Sequence, residues 1–105
     1  MNGTNDRLYI ITRMDLKPGL RTAQACHAAI ESCRRLSWKG YPEESYVIVL
    51  GARDEKDLDY IASRAEEKVN IACFTEPDLG HELTAVAFLG DEKTKCITEK
   101  LKLIK

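Results

Sequence analysis

The chain has 105 residues, 44% hydrophobic and 31% charged, with a formal net charge of −1. That length suits one domain whose core needs neither disulfides nor a structural metal, and the near-neutral charge excludes a strongly basic, non-specific nucleic-acid binder, so an RNA partner would be held by a local basic patch. No apolar run approaches a membrane span, and Met1–Asp6 is polar without a signal-peptide core, so a cytoplasmic protein with no membrane partner is expected.

Arg7–Met14 holds four consecutive apolar residues, Leu8, Tyr9, Ile10 and Ile11. A strand buried on both faces has this pattern, which is common in parallel sheets. Asp15 to Gly19 forms a turn, and Pro18 and Gly19 lead into an Ala-rich helix over about Leu20–Leu36. Gln24, His27, Glu31, Arg34 and Arg35 form its polar stripe. Ser37–Ser45 reads as a loop, Tyr46–Leu50 as a second apolar strand, and Asp54–Lys68 as an amphipathic helix burying Leu58, Ile61, Ala62 and Ala65.

Ile71–Thr75 is a third strand, Glu76–Leu83 a turn-rich loop, and Thr84–Leu89 a fourth strand. Asp91 is placed to cap a last helix over about Glu92–Leu101. The order β-α-β-α-β-β-α implies one α/β domain over residues 1–105, a three-layer α/β/α sandwich around a four-stranded mixed sheet. The four cysteines, Cys26, Cys33, Cys73 and Cys96, form no C-x-x-C pair and sit in apolar or helical stretches, so they read as buried free thiols rather than zinc ligands. No metal or cofactor is expected.

Ligands of open α/β sheets collect beyond the carboxyl ends of the parallel strands. Lys17 and Arg21 flank the head of the first helix there, where free N–H groups favour anions; the alternative is an ordinary solvated turn. If the third strand runs parallel to the first, then Glu76, Asp78, His81, Glu82 and Thr84 share that rim, which offers acids, bases and a hydroxyl for hydrolysis or binding. His27 is either a packing residue of the helix or a catalytic group, with Gln24 and Glu31 near enough in sequence to fix its tautomer. No nucleotide-binding glycine loop, nucleophile elbow or zinc-protease motif is present.

Leu8–Thr12, then Asp15-Leu16-Lys17, then Ala23-Gln24-Ala25-Cys26-His27-Ala28-Ala29 closely resemble the opening of the type 2 peptidyl-tRNA hydrolases. The resemblance continues through Tyr46–Leu50, Asp54-Glu55, the Thr84 strand and Leu101-Lys102-Leu103, covering nearly the whole chain. It is most similar to a divergent, short-turn branch of peptidyl-tRNA hydrolase domain proteins. The resemblance implies a four-stranded mixed sheet between helices, a homodimer, peptidyl-tRNA as partner, and hydrolysis of the peptide–tRNA ester without a cofactor.

Carried over by position, His27, Glu76, Asp78 and Thr84 become the catalytic candidates, with Glu76 the better match to the family aspartate and Asp78 the alternative. Lys17, Arg21 and Gln24 become the substrate-binding candidates. Leu20 stands where the family has a catalytic lysine, which leaves Lys17 or Arg21 to supply the cation. The other expectation is a catalytically impaired member that binds RNA, a protein or a small anion.

Overall fold

A computed structural model describes residues 7–36, 46–90 and 92–103. Strand β1 (Arg7–Arg13) leads into helix α1 (Pro18–Arg35), β2 (Tyr46–Ala52), α2 (Glu55–Glu66) and β3 (Ile71–Glu76). A 3-10 turn (Pro77–Leu79) connects β3 to β4 (Glu82–Leu89). A second 3-10 turn (Glu92–Thr94), α3 (Lys95–Thr98) and β5 (Lys102–Leu103) complete the order. The expected Ser37–Ser45 loop and Asp91 cap lie outside the described residues.

The strands form one mixed sheet in the order β3-β4-β1-β2-β5. β1 pairs in parallel with β2, while β4 runs antiparallel to both β1 and β3. The four expected strands are present, and β5 adds two residues against Leu50 and Gly51 at the edge. The expected last helix is broken into a 3-10 turn and four α-helical residues. Beyond the expected helix end at Leu101, Lys102–Leu103 forms β5, because an edge strand offers unpaired backbone groups to any nearby segment.

β1 is central and covered on both faces, which explains its unbroken apolar run. Leu8 and Ile10 face α1 together with Ala28, Ala72, Phe74, Ala85 and Ala87. Ile11 faces the opposite layer, where Leu58, Ile61, Ala62 and Ala65 of α2 and Ile97 of α3 pack on Leu50, Val86 and Phe88. The small residues Ala28, Ala85 and Ala87 are fully buried where α1 crosses the sheet, so the helix lies close to the strands.

Helix starts follow local chemistry. Pro18 opens α1, where its missing N–H has no intrahelical role. Asp54 caps α2 by accepting from the Asp57 N–H at 2.9 Å, and the Asp57 carboxylate accepts from the Arg53 N–H at 2.9 Å. This reciprocal pair satisfies two backbone donors at the helix entry and places acidic groups at its positive end.

Cys26, Cys73 and Cys96 are free and exposed, which corrects the expectation of buried thiols. Cys26 lies on the outer side of α1, and Cys73 alternates away from buried Ala72 and Phe74 on an edge strand. An apolar sequence neighbourhood therefore did not mean burial for these residues. Among the described residues no helix is long and apolar enough to cross a membrane.

Truncation on the two sides of α2 will separate core from surface. Leu58→Ala, at a fully buried position, is expected to cost about 2–5 kcal/mol. Tyr60→Ala, at a position 61% exposed, should stay within about 0.5 kcal/mol. Urea unfolding midpoints of the two variants measure the contrast.

Candidate functional site

Because β3 is parallel to β1, the carboxyl ends of β1, β2 and β3 and the first residues of β4 meet at one rim. The head of α1 rises from the same rim. The topology thus gathers Lys17, Arg21, Glu76, Asp78, His81, Glu82 and Thr84 at one edge of the sheet.

Thr84 owes its position to a break in register. Phe74 pairs with Ala85 and Thr75 with Leu83, so Thr84 is an extra residue without a partner on β3. Strict alternation would turn Thr84 toward α2 with Val86 and Phe88. The bulge turns it instead to the α1 face, where its hydroxyl donates to Gln24 Oε1 at 2.8 Å. Phe74 O lies 3.2 Å from the same hydroxyl, and Thr12 Oγ1 donates to Thr84 O at 3.2 Å.

Gln24 continues the chain outward. Its Nε2 donates to Glu76 Oε2 at 2.6 Å, and the Asp78 backbone N–H donates to Glu76 Oε1 at 3.2 Å. Thr84 has no exposed surface and Gln24 only 8%, while Glu76 is half-buried at the mouth. The result is a hydrogen-bonded line from a sealed hydroxyl to a carboxylate that meets solvent. Gln24 therefore points inward instead of lying in the outer polar stripe expected of it.

The loop that presents Glu76 turns tightly. Glu76 caps the Pro77–Leu79 turn, and the His81 N–H returns to Glu76 O at 2.9 Å. Gly80 and His81 take φ values of 69° and 63°. Glycine adopts this left-handed region freely, whereas in His81 it costs on the order of 1 kcal/mol.

A second network occupies the other side of the bulge, and its centre is Arg13. Nε and Nη2 grip the two Asp15 oxygens, each at 2.9 Å. Nη1 donates to Glu82 Oε1 at 2.7 Å and to Leu83 O at 3.2 Å. The Leu83 N–H donates to Glu55 Oε2 at 2.9 Å. Side chains from β1 and α2 thus satisfy both backbone groups of the residue next to the bulge. The forked hydrogen bonds from Arg13 hold the Asp15 carboxyl below its ordinary value of 3.8, and the same bonds raise the Arg13 guanidinium further.

The structure therefore joins Gln24, Glu76, Thr84 and the backbone of Asp78. Lys17 is exposed at the N-cap of α1 and makes no side-chain capping bond. Arg21 lies against the β1–α1 turn, with Nη1 3.3 Å from Met14 O. His27 is exposed one turn beyond Gln24 and is not part of the hydrogen-bonded line. Arg13 and Thr12 were not singled out by sequence reasoning. A charged residue closing an apolar strand two positions before an aspartate was the available signal for Arg13. Among the described residues no three His, Cys, Asp or Glu side chains gather as a metal-holding group.

Arg13→Met is expected to destabilise the fold by about 1–3 kcal/mol, because the Leu83 carbonyl loses its side-chain donor. The variant should also be less acid-sensitive. Asp15 has a lowered folded-state pKa, so its contribution is complete above the unfolded carboxyl value and fades as pH falls through the folded one. Denaturant midpoints of both proteins across the acid range measure the two effects together.

No protein-family model matches the chain, and no curated protein matches it. Among solved structures it is similar to a protein of unknown function from Agrobacterium tumefaciens strain C58, with a TM-score of 0.69 and 14% identity. The likeness covers 94% of this chain and 97% of that one, and shows a shared fold.

Proposed function

We propose that this protein is a peptidyl-tRNA hydrolase-like esterase that cleaves the ester between a peptide and the terminal ribose of tRNA. The observation that carries the reading is the Thr84–Gln24–Glu76 hydrogen-bonded line at the rim beside the head of α1. The resemblance of the Ala23–Ala29 motif supports the substrate class.

In this reading Glu76 is the general base. It takes a proton from a water as the water oxygen bonds to the ester carbonyl carbon. Gln24 holds one carboxylate oxygen and the Asp78 N–H the other, which sets the direction of the remaining lone pairs. Thr84, sealed from solvent, acts through Gln24. The free N–H groups at the head of α1, with Lys17 and Arg21, face the developing oxyanion or the terminal phosphates of tRNA. The carbon–oxygen bond to the ribose then breaks and the ribose oxygen recovers a proton. Asp78 and His27, both exposed, are further contacts for the substrate.

The reading includes a cytoplasmic protein and a homodimer. Ile30, 70% exposed on α1, supports an association through that helix. A second reading, a non-catalytic RNA- or anion-binding member, is favoured by Leu20 at the position where the resembled family carries lysine.

Purified protein should hydrolyse a peptidyl-tRNA, and Glu76→Gln should slow turnover by about a hundred- to ten-thousand-fold. Lys17→Ala and Arg21→Ala should mainly raise KM and flatten its salt dependence. Turnover no greater than that of a Thr84→Ala, Glu76→Ala double variant would sink the esterase reading. Salt-sensitive tRNA binding without turnover would favour the second. A monomeric mass by light scattering at high concentration would count against the dimer.

A further inference from the structure

The inner end of the hydrogen-bonded line has a choice of acceptor. Thr84 carries a single hydroxyl proton, yet two acceptors lie within reach, Gln24 Oε1 at 2.8 Å and Phe74 O at 3.2 Å. While Glu76 is ionised, its carboxylate accepts only, so the Gln24 amide must present Nε2 to it. Gln24 Oε1 then faces Thr84 and takes its proton, and Phe74 O is the spare acceptor.

A protonated Glu76 reverses these demands. Its O–H is a donor and calls for Gln24 Oε1 at the 2.6 Å contact. A half-turn of the amide supplies that oxygen and brings Nε2 to Thr84 Oγ1. Thr84 then accepts from Nε2 and donates to Phe74 O by rotating about its Cβ–Oγ1 bond. The Thr84 hydroxyl proton and both ends of the Gln24 amide keep a partner in both arrangements, and Phe74 O takes the hydroxyl proton only on the acid side, which matters because Thr84 is fully buried and Gln24 nearly so.

We infer that Thr84, Gln24 and the Phe74 carbonyl form a reversible relay in which the Gln24 amide turns over when Glu76 gains or loses a proton. One O–H bond forms at Glu76 as one breaks in the water or hydronium that gives up the proton, and no covalent bond changes at Gln24, Thr84 or Phe74. Thr84 is a positioning residue: it reads the protonation state of Glu76 through Gln24 and touches no substrate. In the esterase reading the amide reverses after Glu76 takes the proton from water, so the protonated carboxyl is held in place until it passes that proton on. The relay itself rests on four groups and not on the identity of the substrate.

The elements packed around Glu76 carry other charged and titratable groups. Asp78 and His81 share its loop, Glu82 is its register partner on β4 with its carboxylate taken up by Arg13, and Lys17 and Arg21 stand at the head of α1. Phe74 and Thr84 bring no further charge.

Neutron diffraction from crystals of the deuterated full chain, above and below the titration of the Glu76 carboxyl, tests the relay. The carboxyl is followed in solution by its side-chain 13C resonance. On the ionised side, Nε2 should face Glu76 and the Thr84 deuteron should point at Gln24 Oε1. On the acid side, Oε1 should face Glu76 and the deuteron should point at Phe74 O. In solution, nuclear Overhauser contacts of the Thr84 hydroxyl proton should move from Gln24 to Phe74 over the same titration, and Thr84→Ser should keep that movement. An amide with one orientation in both crystals, or a hydroxyl proton that never leaves Gln24, overturns the relay. Neither measurement uses turnover, so loss of the esterase reading and loss of the relay are separate results.

Discussion

The site depends on one extra residue. Between Phe74–Ala85 and Thr75–Leu83 the β3–β4 ladder slips, and Thr84 is left without a partner. A bulge in an antiparallel pair locally disrupts the ladder and re-aims a side chain. Here each backbone group of Leu83 has its own side-chain partner, Glu55 for the N–H and Arg13 for the carbonyl. On the other side, Thr12 closes on the Thr84 carbonyl. Three side chains from two neighbouring elements, β1 and α2, thus hold the slip in place.

The two networks flanking the bulge differ in electrical character. Around Arg13 the charges are formal and dense, and four of its five N–H donors are engaged. A guanidinium so nearly buried is tolerable only with that degree of pairing. On the α1 side the line runs through a neutral amide and a hydroxyl, and a charge appears only at its outer end. Neutral members can reverse their hydrogen bonds at little cost, whereas an ion pair cannot. The ionic side suits anchoring the backbone, and the neutral side suits passing a proton state inward.

The helices contribute in opposite ways. α2 is anchored by Asp54 and Asp57 at its start and by four apolar residues along its inner face, so its place is over-determined. α1 has no side-chain cap and crosses the sheet over small residues, which brings Gln24 down to the level of the strands. A bulkier residue than alanine at position 28, 85 or 87 would lift that helix from the sheet.

Much of the fold was legible in the residues. The apolar runs of β1 and β2, the inner face of α2, and the Pro18-Gly19 entry to α1 are local signals, and local sterics and burial decide them. The rim location of Glu76 and Thr84 was legible on the condition that β3 runs parallel to β1, which the antiparallel pairings of β4 meet. The resemblance pointed to Gln24, although the helical polar stripe pointed it outward. The exposed cysteines and the broken last helix were misjudged because apolar sequence neighbours do not report how far a covering layer extends.

By itself the sequence determined the four main strands and the first two helices, and that acids, a hydroxyl and the head of α1 would meet at one sheet edge if β3 ran parallel to β1; the pairing of β4 with both strands supplied that condition. Only the tertiary structure decided which way Thr84 faces. In a strand of period two, a one-residue slip moves a side chain to the opposite face, and that slip belongs to the pairing of β4 with β3 rather than to β4 alone. The same is true of Arg13: its role exists only because Asp15, Glu82 and the Leu83 carbonyl converge on it from segments separated by about seventy residues.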